Sequence, residues 1–428
     1  MNKKSKIGWK TAAALVIANM IGTGVFTSLG FQLMEVQNTW SIIFLWTIGG
    51  IMALIGALVF AELGTHFKRS GGDYIFLSEN IHPAVGYLYA WISLVVGFSA
   101  PIAIAAMAVN YYLIPILGGF DLNVGALLIV IVTIAHSLTV KQSAKVQNLL
   151  TVVKLLFVFV FIGIGIFADP ISDFGSFDFS DGWKNEILVP GFSLSLIFVF
   201  YAYTGWNSAA YIVEEIDHPR KNLPKALILA TLLVMGCYIL LQLVFIKHAA
   251  VDQLAGKVEI ATIVAQNLFG ANGVYWVSLL IAVQLIATIS GYTWVGPRVT
   301  HSMARDFKLW YPLSKENIHG IPVRAIWLNS SIALLLMLTG SFEKILIYAG
   351  FVLQLMGTIT IFSSLLLKNQ SGFKTPFKPY LQIIYLLFSC LILGYILYDK
   401  PLESIAGLAI IGAGLVLYHF DKKLSQEN

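Results

Sequence analysis

The sequence predicts an all-α polytopic membrane protein of twelve transmembrane helices, arranged as five, five and two. Three observations carry that reading. The chain of 428 residues is 58% hydrophobic and 11% charged, with a mean hydropathy of +0.80, too little polar surface to cover a water-soluble globule of its size. Twelve apolar stretches each approach the ~20 residues that cross a ~30 Å hydrocarbon core. Finally, Thr23-Gly24 and Thr204-Gly205 interrupt two of those stretches 181 residues apart. Such an offset fits two related halves of five spans, and an odd number of spans per half inverts one half against the other in the bilayer.

Residues 1–10 form a hydrophilic tail. The first five expected spans, 11–33, 40–66, 83–113, 122–140 and 147–168, make up one half (11–168). The next five, 191–213, 226–247, 273–300, 323–340 and 344–367, make up the other (191–367). Two more, 379–398 and 401–420, form a C-terminal pair (379–420) before the tail 421–428. The first stretch follows Lys3, Lys4, Lys6 and Lys10 as a secretory signal would. It is too long for an ordinary signal core and lacks a small-x-small exit, so it reads as a retained span. Basic residues gather in alternate connections, among them Arg69, Lys141, Arg220, Lys221, Arg298, Arg305, Lys374 and Lys422, which places both termini in the cytoplasm.

Several function classes drop out on composition. The net charge is only +5, and the basic residues lack the aromatic interleaving of a nucleic-acid surface. Cys237 and Cys390 both lie in apolar stretches, so no disulfide framework and no metal site is expected. No two acids, and no acid with a histidine, converge in the apolar region as a general acid and base require. The expectation is therefore neither an enzyme nor a cofactor protein.

Ile21-Gly22-Thr23-Gly24-Val25-Phe26 places two glycines roughly 16 Å into the membrane at 1.5 Å rise per residue. Glycine weakens a helix by ~1 kcal/mol relative to alanine, and unpaired backbone at that depth is tolerated only where it lines a cavity. The Gly-x-Gly spacing does not put both residues on one packing face, so an unwound segment is expected. Tyr201-Ala202-Tyr203-Thr204-Gly205-Trp206-Asn207 repeats the pattern in the sixth span. Interrupted helices at matching positions of inverted halves point to a transporter's substrate site. A half-helix start offers N–H groups to a carboxylate and a half-helix end offers carbonyls to an ammonium, so a zwitterion suits such a site.

Lys154 is a charge well inside the fifth span, roughly 13 Å deep. A lysine at the centre of a span costs ~2.5 to 3.5 kcal/mol on insertion scales, so either a partner or snorkelling to the interface is required. The preferred partner is the set of carbonyls exposed by the break in the first span. Glu62, beside Lys68 and Arg69, reads as an interfacial ion pair.

These residues resemble the amino acid-polyamine-organocation (APC) superfamily, and within it bacterial permeases similar to the L-type amino acid transporters. The similarity rests on Ile21 to Phe26, on Ala61-Glu62-Leu63-Gly64 with Arg69-Ser70-Gly71-Gly72-Asp73-Tyr74, and on Gln147-Asn148 with Lys154. It continues through Tyr201 to Asn207 with Glu214-Glu215 and Pro219 to Pro224, and through Gly296-Pro297-Arg298 with Met303 to Asp306. The resemblance implies a LeuT-type fold with a central site between the first and sixth spans. The substrate carboxylate would face Thr23 and the N–H groups around Gly22 and Gly24, and the ammonium would meet carbonyls near Met20, Tyr201 and Thr204. Gly205 lies at the second break, Tyr201 matches the family's aromatic gate, and Asn207 matches a polar residue just past the break. The family's lysine, here Lys154, links the first and eighth spans, with Ser290 as its expected partner. Ile102, Ala105, Tyr292 and Leu353 would complete the side-chain pocket.

Two departures shape the expected function. The connection around Gly118, Gly119 and Asp121 lacks the cysteine by which animal L-type transporters join a heavy chain, so no disulfide-linked partner is expected. No carboxylate is evident within a span to pair a cationic side chain. The expectation is a bacterial inner-membrane transporter of neutral L-amino acids with small or medium side chains, working by alternating access as an exchanger. A proton-coupled symporter is the alternative, and a channel or non-transporting sensor the rival from another class.

Overall fold

The computed structural model describes residues 6–67, 69–117, 123–138, 144–170, 178–318, 320–367 and 372–426. The described residues are almost entirely helical, joined by short turns. Among the described residues, nine helices are long and apolar enough to cross a membrane. Three shorter apolar helices, Val124–Leu138, Thr151–Phe167 and Val323–Thr339, fall on the fourth, fifth and ninth expected spans. The chain is an all-α polytopic membrane protein. The connection around Gly118, Gly119 and Asp121, together with Lys68, lies outside the described residues.

Apolar side chains with more than a third of their surface exposed recur along the helices that form the periphery, such as Val152, Leu156 and Phe159 in the fifth span and Leu387, Leu391, Leu402 and Ile405 in the last two. Such an exterior suits hydrocarbon tails. The first, sixth, third and eighth spans form the interior. The eighth packs along the third, and the second half of the first against the sixth.

Both segments carry a break, at Ile21-Gly22 just before Thr23-Gly24 and at Thr204 to Asn207. The first span divides into Trp9–Met20 and Thr23–Gln32, with Gly22 outside helical space at φ −135° and ψ −145°. The sixth divides into Pro190–Tyr203 and a 3₁₀ segment Ser208–Glu215, separated by Thr204 to Asn207. Gly205 sits there at φ +100°, a conformation L side chains rarely adopt. A Cβ on Gly205 would lie 2.7 Å from the carbonyl carbon of Asn19, and one on Gly24 would lie 2.4 Å from the Cα of Ala202. The two broken helices therefore touch backbone to backbone, and only hydrogen fits between them.

Two further interruptions have local causes. Residues Ser93–Phe98 of the third span form a π-helical turn. Pro101 cannot donate to the carbonyl of Gly97 and its ring crowds that position, which displaces the ladder. The helix Ile260–Asp306 bends at Gly270, whose φ is +66°, so the expected eighth span begins just past the bend. At the end carrying the N-terminus, Ile7 forms a parallel β-bridge with Ile216, with Ile7 N–H on Glu215 O at 2.8 Å and Asp217 N–H on Ile7 O at 2.9 Å.

The Gly205 geometry sets a stability prediction. Gly205→Ala imposes a strained conformation worth about 1–3 kcal/mol together with the clash on Asn19, and is expected to lower the melting temperature of the purified protein markedly. Gly163→Ala, where nothing lies within 4 Å of the added carbon, is expected to leave it unchanged or raise it slightly.

Candidate functional site

Helix ends inside a membrane leave carbonyl and N–H groups that require partners. At the end of Trp9–Met20 each carbonyl has one. Lys154 Nζ donates to Ile21 O at 3.0 Å and to Ala18 O at 3.4 Å. Tyr292 Oη donates to Asn19 O at 3.5 Å, and Tyr238 Oη donates to Met20 O and to Ala202 O. At the start of Thr23–Gln32 no side chain caps the helix, and the N–H groups of Gly22, Thr23 and Gly24 form no hydrogen bond with a described group. The first break is thus saturated on its carbonyl side and open on its donor side, an arrangement that favours an anion.

In the sixth span the Tyr201 carbonyl receives both the N–H of Thr204 at 3.0 Å and its hydroxyl at 2.7 Å. Tyr201 is buried, and its phenol lies beside the Thr23 hydroxyl. The sequence assigned the Tyr201 carbonyl to an ammonium. Two donors already occupy its lone pairs, so among the expected acceptors the second lone pair of Met20 O and the carbonyl of Thr204 remain.

Lys154 is 3% exposed, so its ammonium does not snorkel. Its side-chain partner is Thr288, whose Oγ1 lies 3.1 Å from Nζ. Ser290, the expected partner, instead meets His136 Nε2 at 2.9 Å. At 100° per residue, positions two apart on one helix face opposite ways, so Thr288 turns toward the first and fifth spans and Ser290 toward the fourth.

A cavity of about 130 Å³ lies below the two breaks, lined by Asn19, Tyr201, Thr204, Gly205, Asn207, Tyr292 and Leu353 among others. Met20, Gly22, Thr23 and Gly24 do not line it. Ile102 and Ala105 are fully buried away from it. The third span contributes Ser93, Gly97 and Phe98 instead, all on or beside the π-helical turn. Ile102 sits one turn further along, on the closed side of the molecule. There Phe31 stacks between Phe198 and Phe342 at centroid distances of 5.5 and 5.9 Å, and Tyr112 Oη donates to Phe26 O. Toward the end carrying Ile7, a second cavity of about 400 Å³ shares Asn19, Ser208, Tyr211 and Val295 with the first and reaches Arg69, Glu214 and Arg305. The site is therefore sealed at one end and approached from the other.

Two carboxylates depart from the expectation. Asp73, in the connection after the second span, lines the central cavity and is 1% exposed. It accepts hydrogen bonds from Tyr211 Oη at 2.7 Å and Thr360 Oγ1 at 2.8 Å. Sequence reasoning took it only as part of a motif after the second span and gave it no place in the site. Gly71 and Gly72, at φ +136° and +56°, fold that connection back under the bundle, and this glycine pair was the available signal. Glu62 is likewise 1% exposed, and its partner is Lys378 at 3.0 Å, 316 residues away, in place of Lys68 or Arg69.

The family model for amino acid permeases matches residues 7–411. The chain belongs to the amino acid permease family. It is 26% identical to the large neutral amino acids transporter small subunit 2 of Mus musculus, covering 97% of this chain and 80% of that one. It is 27% identical to the b(0,+)-type amino acid transporter 1 of Rattus norvegicus, at 97% and 87% coverage. The Asc-type amino acid transporter 1 of Homo sapiens is 26% identical, at 97% and 82%. Membership across nearly the whole permease accords with the motif order read from the sequence. Cys237 and Cys390 form no disulfide with each other.

The Lys154 geometry predicts an energetic coupling. Lys154→Met leaves the Ala18 and Ile21 carbonyls without their donor, at about 1–3 kcal/mol, seen as a lower melting temperature. In a double-mutant cycle Thr288→Val should couple with Lys154→Met, whereas Ser290→Ala should add independently.

Proposed function

We propose that this permease is a secondary active transporter of neutral L-amino acids with small or medium side chains, working by alternating access as an exchanger. The observation that carries the reading is the open donor side of the first break, with Gly22, Thr23 and Gly24 unpaired directly across from the Thr204-Gly205 break. A substrate carboxylate takes those N–H groups, and its ammonium takes the second lone pair of Met20 O and the Thr204 carbonyl. Tyr201 closes over the bound molecule through its position beside Thr23. Neutral side chains fit because the wall around Phe98, Phe200, Tyr292 and Leu353 is aromatic and apolar. The Asp73 oxygens further down are already bonded to Tyr211 and Thr360.

The twelve helices are read as an inverted five-plus-five repeat with two appended spans, in a bacterial inner membrane with both termini cytoplasmic. The open cavity then faces the cytoplasm. Lys154 ties the first, fifth and eighth spans together and holds the break in place as the bundle rocks. Proton symport is the second reading, favoured by the buried Asp73. No disulfide-linked heavy chain is proposed.

Proteoliposomes test this directly. Labelled L-alanine, L-serine or L-threonine should enter vesicles preloaded with unlabelled amino acid and not empty ones, with no accumulation driven by a pH gradient. Accumulation in empty vesicles driven by a pH gradient would favour symport, and single-channel currents would defeat the transporter reading. Tyr201→Ala should speed substrate exit, and Lys154→Ala should lower turnover about tenfold or more, the equivalent of one charge-assisted hydrogen bond. An unchanged exit rate for the first, or wild-type turnover for the second, would contradict these roles.

A further inference from the structure

Asp73 is a buried carboxylate without a counter-charge. Among the described residues no lysine, arginine or histidine lies within ion-pair distance of it. Arg69, four residues before it, pairs with Asp306 at 3.0 Å. Burying an ionised carboxylate without a cation is expensive, and such a group lowers the cost by becoming neutral.

The groups facing Asp73 come from every element packed around it. Tyr211 belongs to the second part of the sixth span and Asn207 to the break just before it, Thr360 to the tenth, Tyr89 to the third and Tyr385 to the eleventh. All are uncharged hydrogen-bonding groups. Tyr211 and Asn207 approach Oδ2, Thr360 approaches Oδ1, and Tyr89 lies within hydrogen-bonding reach of the carboxyl. Burial pushes the Asp73 carboxyl above the usual carboxylate range, against the pull of Tyr211, Thr360 and Tyr89. Tyr211 lines both the central cavity and the wider one beyond it and bonds Tyr89, so its hydroxyl links the carboxyl to the approach cavity.

We infer that Asp73 is a proton-binding site at the floor of the substrate cavity, and that its charge state sets how firmly the second part of the sixth span is held to the third and tenth spans. Ionised, it accepts from Tyr211, Asn207 and Thr360 together and fastens Ser208–Glu215 in place. When a proton from the approach cavity binds Oδ1, the carboxyl loses acceptor strength, the Thr360 contact gives way and the segment loosens. The proton returns to the same cavity when the segment closes. This inference rests on the transport reading only for its link to substrate.

Infrared titration of the purified full-length protein tests the site without any amino acid. The wild type should show a carboxylic-acid carbonyl band that titrates above the range of an exposed aspartate and is missing in Asp73→Asn. The same band in both proteins would overturn the proposal. L-alanine binding across pH tests the link. Wild-type affinity should change by up to about tenfold per pH unit around that midpoint, the slope of one linked proton, while Asp73→Asn stays flat near the wild-type acid limb. Equal pH dependence in both would overturn it. If Asp73→Asn does not fold, Thr360→Val and Tyr211→Phe should raise the infrared midpoint by removing hydrogen bonds to the ionised form, and an unmoved midpoint would count against the site. Failure of the wild type to bind alanine would strike the transport reading alone.

Discussion

A peptide group at the centre of a bilayer must find a partner, because hydrocarbon offers none. Two helices of this permease stop and restart at that depth, and the arrangement around them meets the demand unequally. Lys154, Tyr238 and Tyr292 supply donors to four successive carbonyls at the end of Trp9–Met20. No described group supplies acceptors to the amides that follow. A broken helix closed on one face and open on the other is polarised toward an anion, with its positive end fixed by backbone in place of a titratable side chain. The contact of Gly205 with Asn19 and of Gly24 with Ala202 brings the second break against the first, and the cavity follows from that juxtaposition.

What could be read from the sequence was local. A Gly-x-Gly in an apolar stretch and a lysine well inside another are anomalies against a plain background, and their depth follows from helical rise alone. The same reasoning read the apolar stretches as helices, nine of which, among the described residues, are long enough to cross a membrane. It failed where geometry depends on rotation or on distant chain. Choosing Ser290 over Thr288 is a matter of 200° around one helix. The π-helical turn before Pro101 brings Ser93 and Gly97 to the cavity in place of Ile102 and Ala105. Asp73 with Thr360 and Glu62 with Lys378 join residues nearly 300 or more positions apart, and no spacing rule connects them.

The two ends of the cavity are built from different materials. One is shut by stacked rings of Phe31, Phe198 and Phe342, whose separation would expose apolar surface to water at ~25 cal/mol per Å². The other is bordered by Arg69, Asp306 and Tyr74, groups that exchange each other for water at little net cost. Opening at the polar end is accordingly the cheaper state for an empty protein.

The bridge between Ile7 and Ile216 carries a mechanical implication. Two main-chain hydrogen bonds yoke the leading strand of the chain to the tail of the sixth helix, so the lower limbs of both broken rods are harnessed to one another and not only to the frame. Neither can swing alone without snapping that clasp. A load applied to one limb would be handed to its twin through those two bonds.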